Sequence, residues 1–329
     1  MVDVLEADLL AAVHANPGDD GPRLVFADYL MERQDPRGDF IRLQVEGHAH
    51  LPGRRKAELE RRAAMLLLQH RVAWSPFGLE WRFVRGFPAS VKLSASAVFE
   101  FAARLMSVPT FEGLELNFHG MTDSMALAWI KRLEQPVFRR LRSLRLTWYV
   151  PQAVPRALVE SSWVEQLDAL QLSWVTLDDV SWKTLANATT LHGLRTLDLG
   201  LSGSNDAAFE GLCGSPWPKL ETLRLANNQQ GTRTCELVVD AARFPALTTL
   251  DLSWNRVGKK GGAVLTTSPL IQRLVTLDLA HTQIADDFVK AIIAAKPARL
   301  VWLGLEQTRI TDEAIKELQR AAPNVLLRL

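Results

Sequence analysis

An α/β solenoid, in which short parallel strands stack on one side and helices return the chain on the other, is the fold class this sequence predicts. Two observations carry the prediction. The first is a recurring word: Leu194-Arg-Thr-Leu-Asp-Leu199, Leu247-Thr-Thr-Leu-Asp-Leu252, Leu274-Val-Thr-Leu-Asp-Leu279 and Leu300-Val-Trp-Leu-Gly-Leu305 superimpose, and Leu220-Glu-Thr-Leu-Arg-Leu225 fits between the first two. The second is its period. The middle leucines Leu144, Leu170, Leu197, Leu223, Leu250, Leu277 and Leu303 step by 26, 27, 26, 27, 27 and 26 residues, and so regular a spacing is the mark of a repeat architecture.

Each part of the unit has a physical reason. The last two leucines of the word are two apart, so on a strand they share a face and the residue between them points the other way. After the strand, amphipathic stretches such as Asp206 to Leu212, Asp286 to Ala295 and Thr311 to Ala321 predict returning helices. One unit cannot bury its own leucine face, whereas a stack forms a continuous core. These repeats resemble the leucine-rich repeat family. Their length, their helical return and Ile310-Thr-Asp-Glu-Ala-Ile315 are most similar to its ribonuclease-inhibitor-like subclass. The resemblance implies a leucine-rich-repeat solenoid with a curved parallel sheet inside and helices outside. It also implies a structural ladder role for Asn228 and Asn255, with Thr282 and Thr308 substituting in later repeats.

The array is expected to span 81–329 with about ten strands. It opens irregularly: Trp81 to Leu93 leads into the first strand, with Val91 and Leu93 inward, and Phe111-Glu-Gly-Leu-Glu-Leu116 follows a helix through Phe99, Phe101 and Leu105. Irregular units are expected where a solenoid meets a cap. At the other end, Asn324-Val-Leu-Leu-Arg-Leu329 reads as a last strand whose free edge offers self-association or a partner.

Residues 1–80 do not repeat and predict an all-α capping domain that covers the open end of the leucine core. Asp3 to Glu6 reads as a capping box for a first helix through Leu5, Leu9, Leu10 and Val13. A second begins near Pro22. Asp35-Pro36 gives cap and first-turn proline to a third through Phe40, Ile41 and Leu43, and a fourth runs from about 54 to 72. The wording His14-Ala-Asn-Pro-Gly-Asp-Asp-Gly-Pro-Arg-Leu-Val-Phe-Ala-Asp-Tyr-Leu-Met-Glu-Arg33, followed by Asp35-Pro-Arg-Gly-Asp-Phe-Ile-Arg-Leu-Gln44, resembles the bacterial repeat-companion domain over roughly residues 5–45. It departs from that family's usual Trp at Tyr29. The resemblance implies an architecture, a helical section ahead of bacterial repeats, and no activity.

Composition excludes several function classes. A formal net charge of +1 over 329 residues lacks the concentrated basic face of a nucleic-acid binder. The two cysteines, Cys213 and Cys235, cannot make a disulfide framework, suit a reducing compartment and read as buried structural thiols. The opening residues lack the basic start and apolar run of a signal peptide, and no run approaches a membrane span. The expectation is a cytoplasmic protein with neither membrane nor nucleic-acid partner. His48 and His50 with distant His70 lack the companion ligands of a metal site. Gly258-Lys-Lys-Gly-Gly262 lacks P-loop spacing and falls where an outer helix should start. The basic residues Arg54-Arg-Lys56 and Arg61-Arg62 read as a solvated helix face diluted by Glu58 and Glu60. No catalytic constellation and no cofactor motif is present.

What remains is surface. The residues between the paired leucines, among them Arg145, Gln171, Asp198, Arg224, Asp251 and Asp278, face away from the spine and carry charge of both signs. Two residues beyond the last strand leucine stand Trp148, Trp174, Trp254 and His281 at equivalent positions, and aromatics are residues that anchor protein interfaces. The favoured expectation is a non-enzymatic scaffold gripping a protein partner through these ten residues. A regulator of a partner enzyme, such as a GTPase-activating protein, is the alternative. An effector-type enzyme using the helical section is the third reading, and residues 1–200 offer it no cysteine.

Overall fold

The computed structural model describes residues 4–48, 53–133, 138–147, 150–151 and 153–329. The chain divides into two compact units, Met1–Leu93 with Ala97–Leu114, and Ser94–Ser96 with Glu115–Leu329.

The first unit is built on four helices, α1 (Val4–Ala15), α2 (Gly21–Glu32), α3 (Pro36–His48) and α4 (Gly53–Trp74). Their bounds follow the caps read from sequence: Pro22 stands in the first turn of α2, and the Asp35 carboxylate accepts the Arg37 amide at the start of α3 (2.8 Å). Asp3, the expected cap of α1, lies outside the described residues, as does His50. Val13, Phe26, Tyr29, Leu30, Ile41, Val45 and Phe87 make the core. Tyr29 is buried with its ring stacked on Phe26 (centroids 6.3 Å), so the ring occupies a core aromatic's place. Two strands, β1 (Glu80–Val84) and β2 (Phe87–Ser94), pair antiparallel, followed by α5 (Val98–Met106). A single leading strand was expected over this run. Instead Arg85 and Gly86, both left-handed (φ 49° and 86°), turn it into a two-residue hairpin, the geometry that matches strand twist.

β3 (Gly113–Asn117) is shared between the units. Beyond it the second unit alternates strand and helix: α6 (Asp123–Arg132), β4 (Ser143–Thr147), α7 (Ala153–Val159), β5 (Ala169–Gln171), α8 (Asp179–Ala186), β6 (Thr196–Asp198), α9 (Asp206–Leu212), β7 (Thr222–Arg224) and α10 (Thr232–Val238). It continues through β8 (Thr249–Asp251), α11 (Gly258–Thr267), β9 (Thr276–Asp278), α12 (Asp286–Ala295), β10 (Trp302–Gly304), α13 (Asp312–Ala321) and β11 (Leu326–Arg328). The described residues thus hold eleven strands, one more than the expected ten, the extra one being β1 of the hairpin.

From β4 to β11 each strand lies parallel to the next in chain order, and the register sets Leu144, Leu170, Leu197, Leu223, Leu250, Leu277, Leu303 and Leu327 side by side. All but the last are fully buried, and each helix packs on its successor. The leucine spine is therefore one core, to which each buried leucine contributes roughly 2 kcal/mol of transfer free energy. Cys213 and Cys235 are buried in its helical half, and burial pushes both thiols up to about 12, which leaves almost no thiolate at neutral pH.

Polar groups tie neighbouring repeats together. Asn255 accepts the Gln230 amide (2.8 Å) and donates to the carbonyls of Leu225, Leu252 and Ser253 (2.8, 3.1 and 3.0 Å). Asn228 makes the equivalent set one repeat earlier, accepting from Ser202 and Ser204 and donating to Leu199, Leu225 and Ala226. Thr282 and Thr308 bond only carbonyls of their own repeats, Leu279 and Leu305 (2.6 and 2.9 Å). Helix starts are bridged as well. Asp206 accepts the amides of Gly231 and Thr234, and Asp286 accepts the Thr311 amide (2.8 Å), so the first helical carboxylate of one repeat holds the helix start of the next.

Candidate functional site

Just after each strand the backbone makes the same manoeuvre in six successive repeats. Trp174, Leu201, Asn227, Trp254, His281 and Gln307 are all left-handed, with φ between 52° and 69°. In five of the six the position is tied to the next repeat. Trp174, Leu201, Asn227, Trp254 and His281 each donate their amide to a carbonyl of the following repeat, on Gly200, Ala226, Ser253, Ala280 and Glu306, at 2.7–2.9 Å. The chain keeps that bond as it leaves the strand with positive φ and turns the side chain away from the leucine core. For a residue other than Gly this conformation costs roughly 1–2 kcal/mol, least for Asn. Trp174 and Trp254 stand there 64% and 54% exposed. Trp254 stacks on His281 of the next repeat, ring centroids 3.5 Å apart and planes 15° from parallel. Trp148, the third expected tryptophan, lies outside the described residues.

The residues between the paired leucines are aligned across the strands: Arg145, Gln171, Asp198, Arg224, Asp251 and Asp278 form one row. They are not uniformly available. Gln171 and Asp278 are buried, while Arg145, Asp198, Arg224 and Asp251 are half-buried. Arg145 faces Glu115 (3.6 Å). The aspartates also have local work that the sequence reading did not give them. Asp198, Asp251 and Asp278 each accept the amide two residues on, from Gly200, Ser253 and Ala280 (3.0, 2.9 and 3.0 Å), closing the turn that leads to the left-handed position. Gln171 is the exception, its buried Oε1 having no hydrogen-bond partner.

Burial pushes the Asp278 carboxyl above the ordinary carboxylate range, and the charge of Asp251 on the adjacent strand adds to it, while the Ala280 amide pulls the other way. The folded state therefore binds this proton more tightly than the unfolded chain. The linked stability is present at low pH and is lost as pH rises through the raised pKa. Asp278→Asn keeps an oxygen for the Ala280 amide and removes the charge. It is expected to raise the melting temperature at pH 7 by on the order of 1–3 °C and to give no gain near pH 3. Thermal melts at the two pH values check this; an unchanged midpoint at pH 7 would show that the charge is already compensated.

No cluster of His, Cys, Asp and Glu able to hold a metal occurs among the described residues, nor do they include a helix long and apolar enough to cross a membrane. A shallow groove of about 390 Å³ bordered by Leu127, Arg156, Glu160 and Val180 contains a mutual ion pair, Arg156 Nε to Glu160 Oε1 at 3.0 Å.

Residues 245–265, which cover β8, its exit turn and the first part of α11, match the leucine-rich repeat family. No curated protein matches the chain. Among solved structures it is similar to an internalin from Listeria monocytogenes, at 17% identity over 68% of each chain with a TM-score of 0.41. It is similar to a Bacteroides fragilis protein at 16% identity, over 83% of this chain and 82% of that one, with a TM-score of 0.44. The yeast Rad7 and Elc1 complex is a third, at 13% identity over 99% of this chain and 98% of that one, with a TM-score of 0.43. The second unit has the fold of a leucine-rich-repeat solenoid, and its β8–α11 segment is one such repeat.

Proposed function

We propose that this chain is a non-enzymatic scaffold that binds a protein partner along the strand-exit edge of its repeats, working inside the cell. One observation carries the reading. At a backbone position where Asn or Gly would cost least, the chain places two tryptophans, both more than half exposed. The conformation is unfavourable for Trp, and even with Trp254 stacked on His281 more than half of each side chain stays in water. A partner that covers the rings would reward that placement, because large aromatics are the residues whose burial dominates protein interfaces. The half-buried members of the row, Arg145, Asp198, Arg224 and Asp251, then supply the polar border, with Trp254 and His281 presented as one stacked plate.

The test separates folding from binding. Trp174→Asn with Trp254→Asn is expected to leave the protein folded with a urea midpoint close to that of the unaltered chain, because Asn tolerates the left-handed region and this offsets the lost stack on His281. The same double variant is expected to lose, in affinity purification with mass spectrometry from the native cell, the partner retained by the unaltered protein. An identical set of captured proteins from both forms would overturn the assignment of the edge.

A further inference from the structure

α4 has two apolar sides, and only one of them is used by the fold. On the inner side Leu59 and Ala63 are buried, and Trp74 stacks on Phe40 and His70 with centroids 5.0 and 4.9 Å away. On the outer side Met65, Leu68 and Val72 are 60%, 81% and 92% exposed. Their spacing of three and then four residues puts them in one stripe. A helix lying on a domain normally turns polar residues to water there, and a continuous apolar stripe marks a contact surface. The spacing is also that of a helix–helix seam, with Met65, Leu68 and Val72 at the a, d and a positions of a heptad. Exposed Arg61 continues the stripe by one turn, and exposed Arg62, Gln69 and Arg71 take the flanking positions.

We infer that the outward face of α4 docks an amphipathic helix of a partner protein, one with an aliphatic seam and acidic residues along its borders. The flanks decide the occupant. Seam-flanking residues choose partners by charge, and here they are basic or neutral from Arg61 to Val72. A second copy of α4 would set arginines against arginines. Arg71 shares its charge with Glu80 (3.1 Å), Glu60 lies on the other side of the helix beside Lys56 (4.0 Å), and exposed Glu58 ends the basic stretch one turn before Arg61, so Arg61 and Arg62 supply most of the attraction. The inference does not depend on the tryptophan edge, which belongs to the other compact unit.

The experiment uses the full chain and two synthetic three-heptad peptides with leucine at a and d, one carrying Glu and the other Lys at the flanking positions. Like-charged flanks keep each peptide from pairing with itself. The Glu peptide is expected to bind, more weakly as salt is raised, and the Lys peptide not to bind. Leu68→Ser with Val72→Ser is expected to weaken binding about tenfold or more with an unchanged melting temperature, because both side chains are mostly in water. Arg61→Glu with Arg62→Glu is expected to reverse the preference between the peptides. Failure of the Glu peptide to bind, equal binding of both peptides, or binding indifferent to Leu68 and Val72 would overturn the inference. Dimerisation of the protein alone that the serine variant abolishes would give the face to a second copy. Sedimentation with phosphatidylserine vesicles that the serine variant abolishes would give it to a membrane. Either outcome would also overturn the inference.

Discussion

Asn255→Ala is expected to destabilise the protein by about 3 kcal/mol or more, although the substitution leaves every leucine of the spine in place. The Asn255 side chain is buried and serves one amide and three carbonyls, the Gln230 amide and the Leu225 carbonyl belonging to the preceding repeat. Alanine strands the Gln230 amide and the Leu225 and Leu252 carbonyls in a site that water does not reach, and each such group costs about 1–3 kcal/mol. Aspartate is no substitute, since it can accept from Gln230 but presents a negative charge to three carbonyl oxygens. The same loop position in the next repeats provides an internal scale. Thr282→Val, which removes one bond to Leu279 of its own repeat, is expected to cost only about 1 kcal/mol. Asn228→Ala should fall between the two, because Asn228 is only half-buried and solvent can replace part of what it loses. Urea midpoints of the three variants test the ranking, and amide exchange at Gln230 should accelerate in Asn255→Ala alone. Equal midpoints for Asn255→Ala and Thr282→Val would mean that the inter-repeat bonds carry no net stability.

The gradation at that position explains what was legible in the sequence and what was not. The leucine spine could be read because two periods, two residues along a strand and about 27 along the chain, are fixed by backbone geometry and repeat in every unit. The Asn and Thr turn position could be read for the same reason. The left-handed position could not: Trp174, Leu201, Asn227, Trp254, His281 and Gln307 share no chemistry, and only Asn227 is of a type that announces positive φ. In five of the six repeats its amide bonds a carbonyl of the following repeat, a contact invisible in any one segment. The candidate row was legible as an alignment, but its burial was not. Asp278 lies against Gly304 on β10, which leaves room for the carboxylate: a Cβ there would stand 2.3 Å from it. The hairpin at Arg85 and Gly86 was hidden inside a run of uniform strand character, and a lone glycine marked it. On α4 the charges drew the reading toward a solvated face. Which of its apolar stripes met the core depended on where α3 packed.

The helical section holds a pair of glycines whose replacement is expected to act in opposite directions. Gly38 and Gly47 both lie in α3 and are both buried, so helix propensity alone favours alanine by up to about 1 kcal/mol at each. At Gly47 an added Cβ would sit 3.7 Å from the Leu59 Cβ, an ordinary contact. Gly47→Ala should therefore stabilise by about 0.5–1 kcal/mol. At Gly38 the added carbon would come 2.6 Å from the Ala27 carbonyl oxygen and 2.9 Å from the Met31 amide nitrogen. These are backbone atoms of α2, held by the helix's own bonds, and no rotamer change can move them aside. The helices must separate where they cross, disturbing Phe26, Tyr29, Leu30 and Ile41 together. Overpacking of that kind costs about 1–3 kcal/mol, nearer the upper end where backbone must move, and the propensity gain offsets only part of it. Gly38→Ala should therefore lower the urea midpoint and Gly47→Ala should raise it. This also gives the Asp35-Pro-Arg-Gly38 segment a physical meaning: the aspartate and proline open α3, and the glycine lets its first turn press against α2. If Gly38→Ala proved as stable as Gly47→Ala, the two helices would have to cross further apart than the 2.6 Å approach allows.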